Sequence, residues 1–278
     1  MDLLFMLKAV IIGIVEGITE FLPISSTGHM IIAESLIGFN SPYGKEYANL
    51  FTIVIQLGAI LAIVVLYWEK IKHSFTDIKG YGFKLWSTII IGFLPAAVLG
   101  FLLDNTIDAH LMNAPTVIAA LIIGAILMIY MENKYRKKAT VRNMEDVTYS
   151  QAIKIGFFQC LAMWPGMSRS ASTIMGGWFT GLDSVAASEF SFFLAIPTMV
   201  GATGLKLIKA LKSHTVTFNA GNTVALIVGF VIAFLVALVV VEKFIAFLKK
   251  KPMRVFAIYR IFIGILLLIL AAAKLITI

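Results

Sequence analysis

Six long, predominantly apolar runs constrain this 278-residue chain more than any other feature of its sequence. Each has the length of about 17 to 20 residues that an α-helix needs to cross the hydrocarbon core of a bilayer. Hydrophobic residues make up 60% of the chain and charged residues 14%, whereas soluble domains average about 45–50% and about 25%. The sequence therefore predicts an all-α integral membrane protein, with spans at 51–67, 87–103, 115–131, 187–205, 223–241 and 255–273.

The basic residues indicate how the spans are oriented. The net charge is +8, and most of the Lys and Arg residues fall in three short segments, 70–84, 134–142 and 243–254, while the loop 104–113 has none. This alternation follows the positive-inside rule and places the three basic segments in the cytoplasm. We read it as a topology signal and expect no nucleic-acid partner. The lysines of the loop 206–221, which falls outside under this assignment, fit the rule poorly.

The two halves of the chain resemble each other weakly. Residues 9–23 align with residues 152–165, which pairs Glu16 with Gln159 and Pro23 with Pro165. Each half then has a broken helix pair followed by three spans, and an odd number of crossings inverts the second half relative to the first. We predict one membrane domain, 1–278, built as an inverted-topology repeat: 1–132, a cytoplasmic linker 133–150, and 151–278. The re-entrant broken helices of such repeats mark the binding site.

Two carboxylates lie in the first broken segment. Glu16 and Glu20 are spaced i,i+4 on one helix face, and an acid at the bilayer centre costs about 2.5–3.5 kcal/mol on insertion scales. A shared proton, a basic partner or a divalent cation would relieve their repulsion. Paired carboxylates suit Mg²⁺ or Ca²⁺, whose other ligands are water and phosphate oxygens. The alternative is a pair of interfacial acids that cap a short helix.

Pro23 ends the first helix, and a hydroxyl-rich loop follows it. Ser26, Thr27 and Gly28 would lie at the N-terminus of the next helix, where backbone N–H groups bind anions. A serine there is a nucleophile if a base activates it, and His29 is a candidate proton donor or acceptor. Simple N-capping is the alternative, although it explains only one of the hydroxyls.

The second break contains an arginine between serines, in the sequence PGMSRSAST from 165 to 173. Arg169, flanked by Ser168 and Ser170, suits bidentate capture of a phosphate group. The alternative is a salt bridge from Arg169 to Glu16 or Glu20, and one site could contain both. Acids, hydroxyls, an arginine and a histidine in a lipid-embedded cavity indicate phosphate-ester or diphosphate chemistry on an amphiphile. The single cysteine, Cys160, excludes an internal disulfide and a cysteine metal cluster.

The stretches EGITEFLPISSTGHM and PGMSRSAST resemble the signature motifs of the bacitracin-resistance type undecaprenyl-diphosphate phosphatases. The resemblance covers essentially the whole chain. It implies hydrolysis of undecaprenyl diphosphate to the monophosphate, which recycles the lipid carrier of peptidoglycan synthesis and confers bacitracin resistance. It also implies a divalent cation and an active site that opens to the outer face of the bacterial cytoplasmic membrane.

The resemblance assigns roles to individual positions. Glu16 and Glu20 match the acidic pair implied in metal binding and catalysis, and Arg169 matches the phosphate-binding arginine. Ser26 is the favoured nucleophile and His29 the favoured acid/base, with His29 as the alternative nucleophile. The remaining matches imply substrate-binding positions at Thr27, Gly28, Ser168, Ser170 and Thr173.

Other classes of function remain open at this stage. Lipid phosphatases of the phosphatidic-acid type need a second histidine at position 175, where this chain has Met175. An inverted repeat also suits a lipid flippase or an anion transporter, because a fold does not fix a function. A non-catalytic receptor for lipid diphosphates is a third reading. A homodimer is compatible with the sequence.

Overall fold

The computed structural model describes residues 2–39, 43–111, 113–213 and 218–273. These residues form α-helices joined by turns and short 3₁₀ or π segments, and the described part of the chain has no regular β-strand. The helices are α1 Leu3–Thr19, α2 Ser26–Ile37, α3 Gly44–Leu66, α4 Trp68–Thr76, α5 Phe83–Leu111, α6 Ala114–Tyr135, α7 Tyr149–Gln159, α8 Arg169–Phe179, α9 Ser184–Ser213, α10 Ala220–Leu248 and α11 Arg254–Ala272.

Within the described residues, six segments are long and apolar enough to cross a membrane, and they coincide with the six predicted runs. Their mean hydropathies lie between 1.5 and 3.4. Large apolar side chains cover their outer faces, as in α5, where Phe101 is 79% exposed. The prediction of an all-α integral membrane protein is therefore confirmed, with spans at Glu46–Leu66, Ile78–Leu103, Pro115–Lys138, Ser184–Ile208, Ala220–Leu248 and Arg254–Ala272.

Short helices precede the long ones in each half of the chain. The helices α1 and α2 come before α3, α5 and α6, and the helices α7 and α8 come before α9, α10 and α11. The inversion of one half relative to the other, and the boundaries 1–132, 133–150 and 151–278, stay predictions. Residues 214–217 of the loop 206–221 lie outside the described residues, as does the C-terminus after 273.

The short helix α1 is embedded against long helices by close backbone contact. A Cβ atom at Gly13 would lie 2.7 Å from Gly229 O, and one at Gly17 would lie 2.7 Å from Ala233 O. Small residues at such positions let helix backbones approach closely in membranes. The break after α1 is therefore enclosed by protein, which is the condition under which irregular backbone is tolerated at membrane depth.

The second pair of short helices packs on α5, α6 and α9. Its core includes Trp178 of α8, which is 1% exposed and donates from Nε1 to Ser184 Oγ at 3.1 Å. Phe21, in the turn after α1, meets Phe192 of α9 edge to face at 5.3 Å between ring centroids. Both breaks consequently face the same interior region.

Candidate active site

Each helix break ends in a serine with an unusual backbone conformation. Among the described residues, Ser25 (φ 72°) and Ser168 (φ 73°) are the non-glycine residues with positive φ. Ser25 Oγ accepts from Gly28 N at the start of α2, and Ser168 Oγ accepts from Ala171 N at the start of α8. A non-glycine residue in this region costs about 1–3 kcal/mol, and such residues cluster at functional sites. Both breaks therefore turn into a helix N-terminus in the same way.

Glu20 joins the two breaks. Its Oε2 accepts from Ser26 Oγ at 2.8 Å, and its Oε1 lies 3.3 Å from Arg169 Nη2 in a buried ion pair. Ser170 Oγ adds a second link by donating to Leu22 O at 2.8 Å. The structure thus brings the predicted acid, serine and arginine into direct contact, although Glu20 and Arg169 are 149 positions apart in the chain.

Glu16 is fully buried, and neither of its carboxylate oxygens has a hydrogen-bond partner among the described residues. It lies one helical turn before Glu20, whose backbone N–H donates to Glu16 O at 3.0 Å. A buried carboxylate without a partner is costly, and a cation relieves that cost. The pair therefore fits a hard divalent cation.

A cation at this pair would need ligands from outside the protein's own acids. Among the described residues, no group of three or more His, Cys, Asp or Glu side chains could hold a metal ion. Mg²⁺ is commonly bound by one or two carboxylates together with water and substrate phosphate oxygens. Two carboxylates without a third acid match that ligand set.

Arg169 is held from several sides. Its Nη1 donates to Ser191 O at 3.0 Å, and its Cζ lies 6.0 Å from the centroid of the Phe21 ring. Thr173 Oγ1 supports this arrangement by donating to Ser191 Oγ at 2.6 Å. Arg169 Nε is buried and has no partner among the described residues. The alternative of a salt bridge to Glu20 is realised, and Nε is the guanidinium nitrogen that has no hydrogen-bond partner among the described residues.

The hydroxyl groups of the second break mainly shape the loop. Ser168 Oγ and Ser170 Oγ lie 3.1 Å apart. Thr173 is fully buried, and its Oγ1 also lies 2.9 Å from Arg169 O. Thr173 therefore supports the guanidinium through Ser191, while Ser168 and Ser170 shape the loop.

His29 lies beside the first break, and its ring nitrogens are hydrogen-bonded to residues other than Ser26. Its Nδ1 is 2.8 Å from Ser25 O, and its Nε2 is 2.8 Å from the hydroxyl of Tyr259. Thr27 precedes it on the first turn of α2, and Gly28 is closely packed, because a Cβ atom there would lie 3.0 Å from Leu121 Cδ1. In this structure the Ser26 hydroxyl donates to Glu20, and both ring nitrogens of His29 have other partners; the role of His29 as acid/base stays a prediction.

Arg260 is a site residue that the sequence interpretation missed. The run 255–273 was treated only as a membrane span, yet Arg260 within it is fully buried. Its guanidinium donates to Gly166 O at 3.1 Å, Ala120 O at 3.3 Å and Pro23 O at 3.5 Å. It thus connects both breaks to α11 and α6. The available signal was its charge, since an ionisable residue inside a membrane span is a functional candidate by default.

The fold and the site together define a polytopic helical membrane protein with a buried acid–serine–arginine site where two helix breaks meet. The sequence model of the family described as "Bacitracin resistance protein BacA" matches residues 9–266. The chain belongs to this family, which confirms the resemblance seen in the two motifs.

Curated relatives match over nearly the full length of the chain. The undecaprenyl-diphosphatase of Clostridium tetani is 57% identical over 280 residues, covering 99% of this chain and 100% of that protein. The undecaprenyl-diphosphatase of Clostridium novyi is 56% identical over 281 residues, covering 97% of each chain. The protein named undecaprenyl-diphosphatase 2 of Clostridioides difficile is 47% identical over 289 residues, covering 100% of this chain and 99% of that protein.

Proposed function

We propose that this protein hydrolyses undecaprenyl diphosphate to undecaprenyl phosphate and inorganic phosphate. The observation that carries the proposal is the partly buried chain of contacts from Ser26 through Glu20 to Arg169, which joins a nucleophile, a base and a phosphate-binding guanidinium. The names of the relatives support the substrate and the reaction. In the cell this activity recycles the lipid carrier of peptidoglycan synthesis and confers resistance to bacitracin.

The contact between Ser26 and Glu20 suggests the first chemical step. The hydroxyl already donates to the carboxylate at 2.8 Å, so Glu20 can take the proton as the serine oxygen attacks the terminal phosphorus. The bond between that phosphorus and the bridging oxygen then breaks, and undecaprenyl phosphate leaves. A water molecule next attacks the phosphoserine, which releases inorganic phosphate and restores the hydroxyl as the proton returns.

Arg169 would stabilise the charge that develops on the terminal phosphate. Its Nη1 and Nη2 are engaged by Ser191 and Glu20, while Nε has no partner among the described residues. A guanidinium fixed in advance needs no reorganisation when the phosphate reacts, which is the basis of electrostatic transition-state stabilisation. A serine next to a base favours hydrolysis over transport or simple binding of a diphosphate, because neither of these needs a nucleophile.

Glu16 and Glu20 are the residues that would hold a divalent cation, with Mg²⁺ or Ca²⁺ as the candidates. A bound cation supplies neutralisation of the diphosphate charge and polarisation of its phosphorus–oxygen bonds. The protein contributes Glu16, which is fully buried. Neither of its carboxylate oxygens has a hydrogen-bond partner among the described residues. We further propose that the site opens to the outer face of the bacterial cytoplasmic membrane, a proposal that rests on the positive-inside assignment of the loops.

The test is phosphate release from undecaprenyl diphosphate by the purified full chain in detergent, where no compartments exist and transport has no meaning. We expect release by the wild-type protein and a loss of several orders of magnitude in Ser26→Ala. Ser188→Ala is the matched control, because Ser188 is a fully buried serine of α9 that donates only to Ser184 O within its own helix. Binding of the lipid without phosphate release would refute hydrolysis and favour a flippase or receptor.

A further inference from the structure

Both ring nitrogens of His29 are hydrogen-bonded. Nδ1 lies 2.8 Å from the backbone oxygen of Ser25, and Nε2 lies 2.8 Å from the phenol oxygen of Tyr259. A carbonyl oxygen can only accept, so Nδ1 carries the proton. In the neutral imidazole Nε2 is then the acceptor, and the Tyr259 hydroxyl donates to it; this tautomer is assigned from the partners. Ser25 O therefore selects the Nδ1–H tautomer of His29, and the Tyr259 hydroxyl binds the remaining nitrogen.

The Tyr259 ring also fixes the plane of the imidazole. The two rings are stacked, with centroids 5.5 Å apart and an interplanar angle of 13°. On the opposite edge of the imidazole, the positive φ of Ser25 accompanies the turn that brings its carbonyl within reach of Nδ1. His29 is thus restrained along both edges, with its ring nearly parallel to that of Tyr259, which is how neighbouring groups orient a functional histidine.

Tyr259 belongs to a helix that already holds the first break. The next residue, Arg260, donates to Pro23 O from the interior side of α11. Tyr259 is 39% exposed and shares a helix face with Val255 and Phe262, which are 55% and 63% exposed. That face is the lipid-facing side of α11. Tyr259 therefore lies between His29 and the bilayer, at the edge of the site.

We propose that Tyr259 is a positioning residue of the diphosphate site, which fixes the orientation of His29 through its hydrogen bond to Nε2. The inference rests on the proposed function, because it concerns the part that His29 plays in hydrolysis. A phenol hydroxyl can donate to a neutral imidazole and accept from an imidazolium. The contact therefore persists when His29 gains or loses a proton, and Tyr259 acts on the reaction only through His29.

The first experiment is steady-state phosphate release by Tyr259→Phe, which retains the stacked ring and removes the hydroxyl. We expect kcat to fall roughly 10- to 100-fold, the scale for displacing a catalytic group through its support, with KM and the melting temperature unchanged. The matched control is Tyr149→Phe. Its ring is 46% exposed and its hydroxyl lies 3.0 Å from Ser87 Oγ, so we expect no change.

A double-mutant cycle separates positioning from a purely structural role. In a His29→Ala background, Tyr259→Phe should cause no further loss. The same fold loss in both backgrounds, or an unchanged kcat in the single Tyr259→Phe variant, would overturn the proposal.

The second experiment does not depend on activity. Nitrogen-15 NMR of the histidines, of which the chain has four, should show a neutral His29 with an unprotonated Nε2 whose resonance moves in Tyr259→Phe. An unmoved resonance would overturn the proposal. If the wild-type protein released no phosphate, the proposed function would fail, while this spectrum would still decide whether Tyr259 holds His29.

Discussion

Replacing Arg169 with lysine tests the second break as a phosphate site. The guanidinium spans Glu20 on one side and Ser191 O on the other, at 3.3 and 3.0 Å, and leaves Nε for a ligand. A lysine ammonium is a point charge that cannot reproduce this planar set of donors. We expect Arg169→Lys to keep the positive charge that balances Glu20, and hence to fold and insert, but to lose the contact with the phosphate.

The loss can be estimated from the number of contacts. A hydrogen bond to a charged group contributes about 1.5–3 kcal/mol, and losing one oxyanion contact costs about 2.7–4 kcal/mol in transition-state stabilisation. At about 1.4 kcal/mol per factor of ten, a loss of about 1.5 to 4 kcal/mol corresponds to a fall in kcat/KM of roughly 10- to 700-fold. The assay is phosphate release from undecaprenyl diphosphate in detergent, run beside thermal unfolding of the same sample.

Arg254→Lys is the matched control, because Arg254 lies at the exposed start of α11 and donates to Asn133 there. It should leave kcat/KM unchanged. Near-normal turnover in Arg169→Lys would refute the reasoning and reduce Arg169 to the charge partner of Glu20. A lowered melting temperature with normal turnover in the folded fraction would lead to the same conclusion.

The remaining predictions concern the cation, the buried arginine and the topology. EDTA should abolish phosphate release, and added Mg²⁺ or Ca²⁺ should restore it. Glu16→Gln should lose activity that no cation restores. Full activity in EDTA would contradict a role for a divalent cation. Arg260→Met should lower both the melting temperature and turnover, because it frees carbonyl oxygens of both breaks, and an unchanged melting temperature would contradict this. In a Cys160→Ala background, Thr106→Cys should react with an impermeant thiol reagent in intact cells and Lys137→Cys should not; equal labelling would contradict the positive-inside assignment.

The membrane spans could be predicted because their signal is local. A run of apolar residues of sufficient length indicates a membrane span by its own composition, and all six predicted runs are helical in the structure. The ends of these helices could be predicted less well from the sequence. The predicted run 87–103 belongs to α5, which extends over Phe83–Leu111 and passes through Pro95. Composition marks only the apolar part of a helix, and a proline is tolerated inside membrane helices.

The residues of the two breaks could also be predicted, because polar groups in an apolar segment are expensive and stand out. Glu20, Ser26 and Arg169 were singled out on that basis and lie together. The sequence could not show which base accepts a hydrogen bond from Ser26. Helical spacing puts Ser26 and His29 one turn apart, but the imidazole nitrogens bond to Ser25 O and to the Tyr259 hydroxyl of α11.

The supporting residues were missed because they come from other helices. Ser191 and Tyr259 are ordinary residues of apolar helices, and only tertiary packing brings them to Arg169 and His29. Nothing in the immediate sequence around either residue distinguishes it from a membrane-span residue. Arg260 differs, since its charge was a signal that the sequence did contain.

The most direct test of the central claim is to measure both products of undecaprenyl diphosphate turnover by the purified protein in detergent. The account predicts equal amounts of undecaprenyl phosphate and inorganic phosphate from the wild-type protein, and a loss of several orders of magnitude in Glu20→Gln, which removes the charge that joins Ser26 to Arg169. Glu69→Gln, at an exposed acid of α4, should behave as wild type. No product from the wild-type protein, or undiminished turnover in Glu20→Gln, would contradict the account.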